Sequence, residues 1–117
     1  MNDEHNELFQ KPKTFMGLPS STDTTNATAV ILGCPFDCGT HPFRVGSRQG
    51  PQAIRDQSGL IRPFQSELAD ENILEKLNVI DAGDVNVVSS RMDESFDTIE
   101  KAFFLFYFSC SFIFGFC

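Results

Sequence analysis

Ala29-Val-Ile-Leu-Gly33 is an unbroken apolar run closed by a glycine. Continuous apolar character, without polar alternation, suits a strand buried on both faces, and such strands belong to parallel sheets flanked by helices. Leu77-Asn-Val-Ile-Asp81 predicts a second strand, with Ala82-Gly-Asp-Val85 as its exit turn. Between the two, Pro51 stands where a helix can begin, because a missing N–H costs nothing in a first turn. A short helix is expected from Pro51 to about Gly59, whereas Ile61 to Lys76 is mixed, with Pro63 as a breaker. Further on, Ser90 or Asp93 can cap a helix in which Phe96, Ile99 and Phe103 recur at helical spacing. The order strand, helix, strand, helix predicts an α/β fold with a parallel sheet.

A chain of 117 residues allows one small domain. Its 16 acidic and 9 basic residues give a net charge of −7, which argues against nucleic acid as a partner, since phosphates want clustered Lys and Arg. Asp3, Glu4 and Glu7 stand where the positive start of a signal peptide would be, so a cytoplasmic setting with reduced thiols is expected. Composition divides the chain in three. Residues 1–26 are polar, with Pro12, Gly17 and Pro19, and read as an irregular arm. Residues 27–101 carry the strand and helix patterns. Residues 102–117 carry no charge and hold seven of the 13 Phe.

The residues able to do chemistry are few. Cys34 and Cys38 are not spaced as a redox or zinc pair, and no second ligand pair follows. Of the two imidazoles, His5 lies in the arm, while His41 lies on the loop after the first strand, at the strand end where ligands collect in parallel sheets. Gly46-Ser-Arg-Gln-Gly50-Pro51 leads into the first helix like an anion-binding loop, but it lacks the P-loop Lys-Ser/Thr and reads as a structural turn. Arg44, Arg48 and Arg55 are expected to pair with carboxylates such as Asp37, Asp81 or Asp84. Asp81 and Asp84, three apart at a strand exit, could bind a cation; capping the turn is the expected role.

Four segments in order resemble the opening third of a ureohydrolase of the arginase and agmatinase family. They are Thr14-Phe-Met-Gly-Leu-Pro19, Val30-Ile-Leu-Gly-Cys-Pro-Phe-Asp37, Arg44-Val-Gly-Ser-Arg-Gln-Gly-Pro-Gln-Ala-Ile-Arg55 and Val79-Ile-Asp-Ala-Gly-Asp-Val85. The Phe-Met-Gly-Leu-Pro and Pro-Phe-Asp forms are closer to the agmatinase or guanidinobutyrase branch than to arginase proper. The resemblance implies the N-terminal portion of a three-layer α/β/α parallel-sheet fold. It implies a hydrolase that splits a guanidino compound into urea and an amine, using two manganese ions that activate a bridging hydroxide, and a homo-oligomer. Asp37, His41 and Arg44 correspond to a loop near the family's active-site mouth and are the substrate-loop candidates. Gly46, Arg48, Gly50, Pro51, Arg55, Asp81, Gly83 and Asp84 belong to the structural motifs. The family's metal ligands lie in Gly-Gly-Asp-His, Asp-Ala-His-x-Asp and Ser-x-Asp-x-Asp motifs, none of which occurs in this sequence. The chain is therefore expected to be truncated, to hold no metal or catalytic residue and to be inactive alone.

Phe, Tyr, Ser and Cys make up 12 of residues 103–117, a set favoured by U-rich codons, so the tail reads as an aberrant extension from a non-coding stretch. A spanning helix is not expected: 16 residues at about 1.5 Å each fall short of a hydrocarbon core of roughly 30 Å. A sheet of two strands with one face uncovered would leave the polypeptide unfolded or aggregating. The alternatives are a non-catalytic fragment that binds or poisons full-length subunits, and a small membrane-associated protein held by the tail.

Overall fold

The structure, a computed structural model, describes residues 12–37, 43, 46–61, 72–88 and 90–116. Three parallel strands, β1 (Ala29–Gly33), β2 (Val79–Asp84) and β3 (Phe112–Phe116), form one sheet in the order β2-β1-β3. Helices α1 (Gly50–Ser58), α2 (Ile73–Lys76) and α3 (Met92–Tyr107) accompany it, with single 3-10 turns at Phe15–Gly17 and Ser47–Gln49.

β1 is central and buried along its whole length. Its side chains alternate between two cores, as a strand's must. Val30 and Leu32 pack with Ile80, Ile113 and the Ile99, Phe103 and Phe106 side of α3. Ala29 and Ile31 turn the other way, onto Val79, Leu18, Phe15 and Leu74. Thus α3 covers one face of the sheet, while residues 14–21 and α2 lie on the opposite one.

The first strand and first helix fall where the residue pattern places them. The arm does not stay apart: residues 12–26 lack regular elements beyond one 3-10 turn, yet Leu18 is buried and Ser20 bridges to Asp81 on β2. Residues 1–11, with His5, lie outside the described residues. β2 runs on through Asp84 instead of ending at Asp81. α3 starts after Arg91, so neither Ser90 nor Asp93 is its cap. The Ser95 hydroxyl instead accepts Val88 N–H and donates to Val88 C=O, each at 3.0 Å, which folds the incoming chain back onto the helix.

The main correction concerns the apolar tail, for the sheet has three strands and not two. Residues 102–107 continue α3, the chain turns at Ser109 and Cys110 onto the Phe106 carbonyl, and Ser111 and Phe112 donate to Thr28 C=O. β3 then pairs with β1 along Ala29 to Gly33. Phe and Ile suit a strand, and a parallel strand needs a crossover of helical length, which α3 provides. Ile113 faces α3, whereas Phe112 and Phe114 point to the other face and stay exposed. The premise of a two-stranded sheet therefore does not hold. The uncharged run is divided between a helix end and a strand, and among the described residues no helix is long and apolar enough to cross a membrane.

Candidate functional site

The carboxyl ends of β1 and β2 carry two arginine–carboxylate assemblies. Arg55 projects from α1 and is 5% exposed. Its Nε donates to Asp81 Oδ2 at 2.9 Å, one terminal nitrogen to Asp81 Oδ1 at 3.0 Å and the other to Asp84 Oδ1 at 2.6 Å. The Asp81 oxygens also accept Phe15 N–H at 2.8 Å and Gly83 N–H at 2.9 Å.

That one guanidinium meets both carboxylates depends on an irregularity in β2. Residues three apart on a regular strand point to opposite faces. Here Ile31 pairs with Asp81 but Gly33 with Asp84, so β2 holds one extra residue, a bulge, and the alternation is reset. Gly83, at φ 84°, takes the left-handed turn this needs. Gly33 opposite has to lack a side chain, because a Cβ there would collide with Asp84 Oδ1 and lie 2.9 Å from Pro51 Cβ.

Burial would raise the Asp81 carboxyl, but the Arg55 hydrogen bonds, the Phe15 and Gly83 N–H groups and the Arg55 charge outweigh it and hold it below the usual carboxylate range. Arg55 is pushed up, chiefly by its Asp81 bonds and against its own burial.

The second assembly joins Asp37, beyond β1, to Arg48 in the Ser47–Gln49 turn. Asp37 is buried and accepts Arg48 Nε at 3.0 Å on both oxygens, a terminal nitrogen at 2.8 Å and the Arg48 backbone N–H at 3.2 Å. The Arg48 side-chain bonds hold the Asp37 carboxyl below its ordinary value in spite of burial, with help from the Arg48 and Gly46 amides. The Gly46–Gly50 loop does cradle an anion, and that anion is the chain's own Asp37.

Of the sequence candidates, Arg48 thus meets Asp37, and Arg55 meets Asp81 and Asp84 beside Gly83 and Pro51. Gly46 precedes the 3-10 turn and Gly50 opens α1 in ordinary helical conformation. His41 and Arg44, like Cys38, lie outside the described residues. Cys34 is buried, and burial pushes the Cys110 thiol up. Sequence reading missed Ser58, whose buried hydroxyl accepts Met16 N–H at 2.8 Å and donates to Arg55 C=O at 2.7 Å. The one available signal was Gly17 beside Pro19, marking a tight turn that could dock.

The donors at these strand ends do not fit a metal pair. Asp37 and Asp81 spend both oxygens on N–H donors, and among the described residues no three His, Cys, Asp or Glu converge.

Residues 27–113 match the family model described as the arginase family. Proclavaminate amidinohydrolase of Streptomyces clavuligerus is 38% identical over 88 residues, which are 75% of this chain and 28% of that protein. Its solved structure superposes with a TM-score of 0.79 at 31% identity, over 91% of this chain and 35% of that one. Guanidinobutyrase of Pseudomonas aeruginosa is 34% identical over 93 residues, 77% of this chain and 28% of that protein. A crystal structure of Trypanosoma cruzi formiminoglutamase with Mn2+ superposes at TM-score 0.65 and 28% identity, over 91% of this chain and 35% of that one. The chain spans roughly a quarter of the length of the curated relatives it matches.

Proposed function

The chain belongs to the arginase family, and from that premise we propose that its residues build the strand-end scaffold of a guanidino-compound hydrolase and not the metal centre. The observation behind this reading is the commitment of Asp37 and Asp81 to Arg48 and Arg55. A carboxylate saturated by guanidinium and amide donors has no lone pair to offer a cation. The whole-protein reaction proposed is the one that the family resemblance implies, manganese-dependent release of urea from a guanidino group. Bound manganese would supply the hydroxide nucleophile, and the residues described here would contribute no ligand to it. Their contribution is to fix the ends of β1 and β2.

The test is urea release by the purified polypeptide in excess manganese, with metal content measured after desalting. Background turnover and substoichiometric manganese are expected. Turnover above background, or one to two equivalents of retained manganese, would overturn the reading.

A second reading, non-catalytic binding to full-length subunits of the family, is favoured by β3. Its outer edge carries no strand among the described residues, and Phe112 and Phe114 are 60% and 55% exposed beside it. Such an edge invites pairing with another chain. Co-expression with an intact guanidinobutyrase homologue should then co-purify both chains, and Phe114→Lys should abolish this; no co-purification of the unaltered chain refutes the reading.

A further inference from the structure

The docked part of the arm makes a set of contacts that the scaffold role does not require. Residues 14–18 close on themselves: Thr14 Oγ1 donates to Leu18 C=O at 2.6 Å, and Met16 and Gly17 are both left-handed, at φ 51° and 72°. This compact turn is pinned at two buried points. Phe15 N–H donates to the Asp81 carboxylate, and Met16 N–H donates to the Ser58 hydroxyl. Both pins lead to Arg55, since Asp81 is its ion partner and Ser58 donates to its carbonyl. The segment then lies along the outer edge of β2, where Asp81 N–H donates to Pro19 C=O at 3.0 Å and Ser21 N–H to Asp81 C=O at 3.1 Å. Phe15 and Leu18 help to line an apolar cavity of about 430 Å³ over Ala29, Ile31 and Val79.

We propose that residues 14–21 are a strap that opens and closes over β2 as a single unit, latched by Asp81 and Ser58. The reason is geometric. The four N–H groups that tie the strap down, at Phe15, Met16, Ser21 and Asp81, reach three separate acceptors on α1 and β2 and one on the strap itself at Pro19. The tight turn prevents one of them from leaving without straining the others. Opening frees the hydrogen-bonding edge of β2 and admits solvent or an apolar group to the cavity. Leu18 and Phe15 add apolar packing on Ala29, Ile31 and Val79. Lys13 and Asp56 form an exposed pair at 3.5 Å, and β1 offers no charged group. Opening therefore breaks the latch and this apolar contact together, and leaves the pairing of β1 with β2 and β3 in place.

Native-state hydrogen exchange on the full chain, followed by NMR in increasing urea, tests this. The amides of Phe15, Met16, Ser21 and Asp81 should share one opening equilibrium and one urea dependence, distinct from the slower amides of Val30 and Leu32 in β1. Of the four strap donors Ser58→Ala touches only Met16, and besides it only the bond to Arg55 C=O within α1. It should nevertheless speed all four strap amides by a common factor, about tenfold for one buried hydrogen bond lost, and leave β1 unchanged. Acceleration confined to Met16 overturns the proposal. So does exchange of the strap together with β1, or a lack of protection in both, and the urea series on the unaltered chain decides this even where Ser58→Ala fails to fold.

Discussion

Arg55→Met isolates the buried ion cluster. Methionine keeps most of the apolar stem volume, so the change falls on the guanidinium and not on packing. What it leaves is Asp81, 1% exposed, with two N–H donors in place of four and no counter-charge at 2.9 Å. Removing one partner of a buried pair costs about 3–5 kcal/mol, because the other charge stays desolvated. Asp84 adds little, its side chain being 36% exposed to water that can replace the lost bond. A domain of this size has roughly 5–15 kcal/mol in hand, so the variant should fold with a much lower urea midpoint and an unchanged slope, read by far-UV circular dichroism. Arg48→Met is the internal control. It strips Asp37 of its partner in the same way, but the Arg48 side chain is 41% exposed, so its effect should be the smaller one. A loss under about 1 kcal/mol for Arg55→Met, or a larger loss for Arg48→Met, would refute the argument that burial sets the cost.

Gly33→Ala should cost about 1–3 kcal/mol by overpacking, since the new methyl meets the Asp84 carboxylate and Pro51; thermal melts check it, and a neutral result means the bulge is not packed as described. Phe106→Ala, at a site 3% exposed under the sheet, should cost about 3–5 kcal/mol in the same assay. Asp81 and Asp37 both have depressed folded values, so the stability they confer is complete above their unfolded value of about 3.9 and is lost as pH falls through the lower folded values. Melting temperature should therefore hold level from about pH 5 upward as far as these groups are concerned, drop in acid below about pH 4, and drop less in Asp81→Asn.

What the sequence could determine was local. An unbroken apolar pentad located β1 to the residue, because strand burial on both faces writes itself into consecutive side chains. Proline in a first turn located α1, and the ordered motifs identified the family. Pairing of arginines with aspartates was legible as charge arithmetic at strand ends. Which arginine takes which aspartate was not, because Asp81 and Asp84 share Arg55 only through an extra residue in β2, and a bulge is a property of two strands in register. The strand within the uncharged Phe-rich tail was not legible for the same reason. The tail's composition speaks of apolar character, while its division into the end of α3 and the strand β3 depends on Thr28 and β1 standing ready to accept its N–H groups. The arm gave no periodic signal at all, since its order comes from the Asp81 carboxylate, the Ser58 hydroxyl and a strand edge distant in the chain. Contacts between residues far apart in sequence are set by the closed fold, and only there do a buried carboxylate and an irregular peptide become one latch.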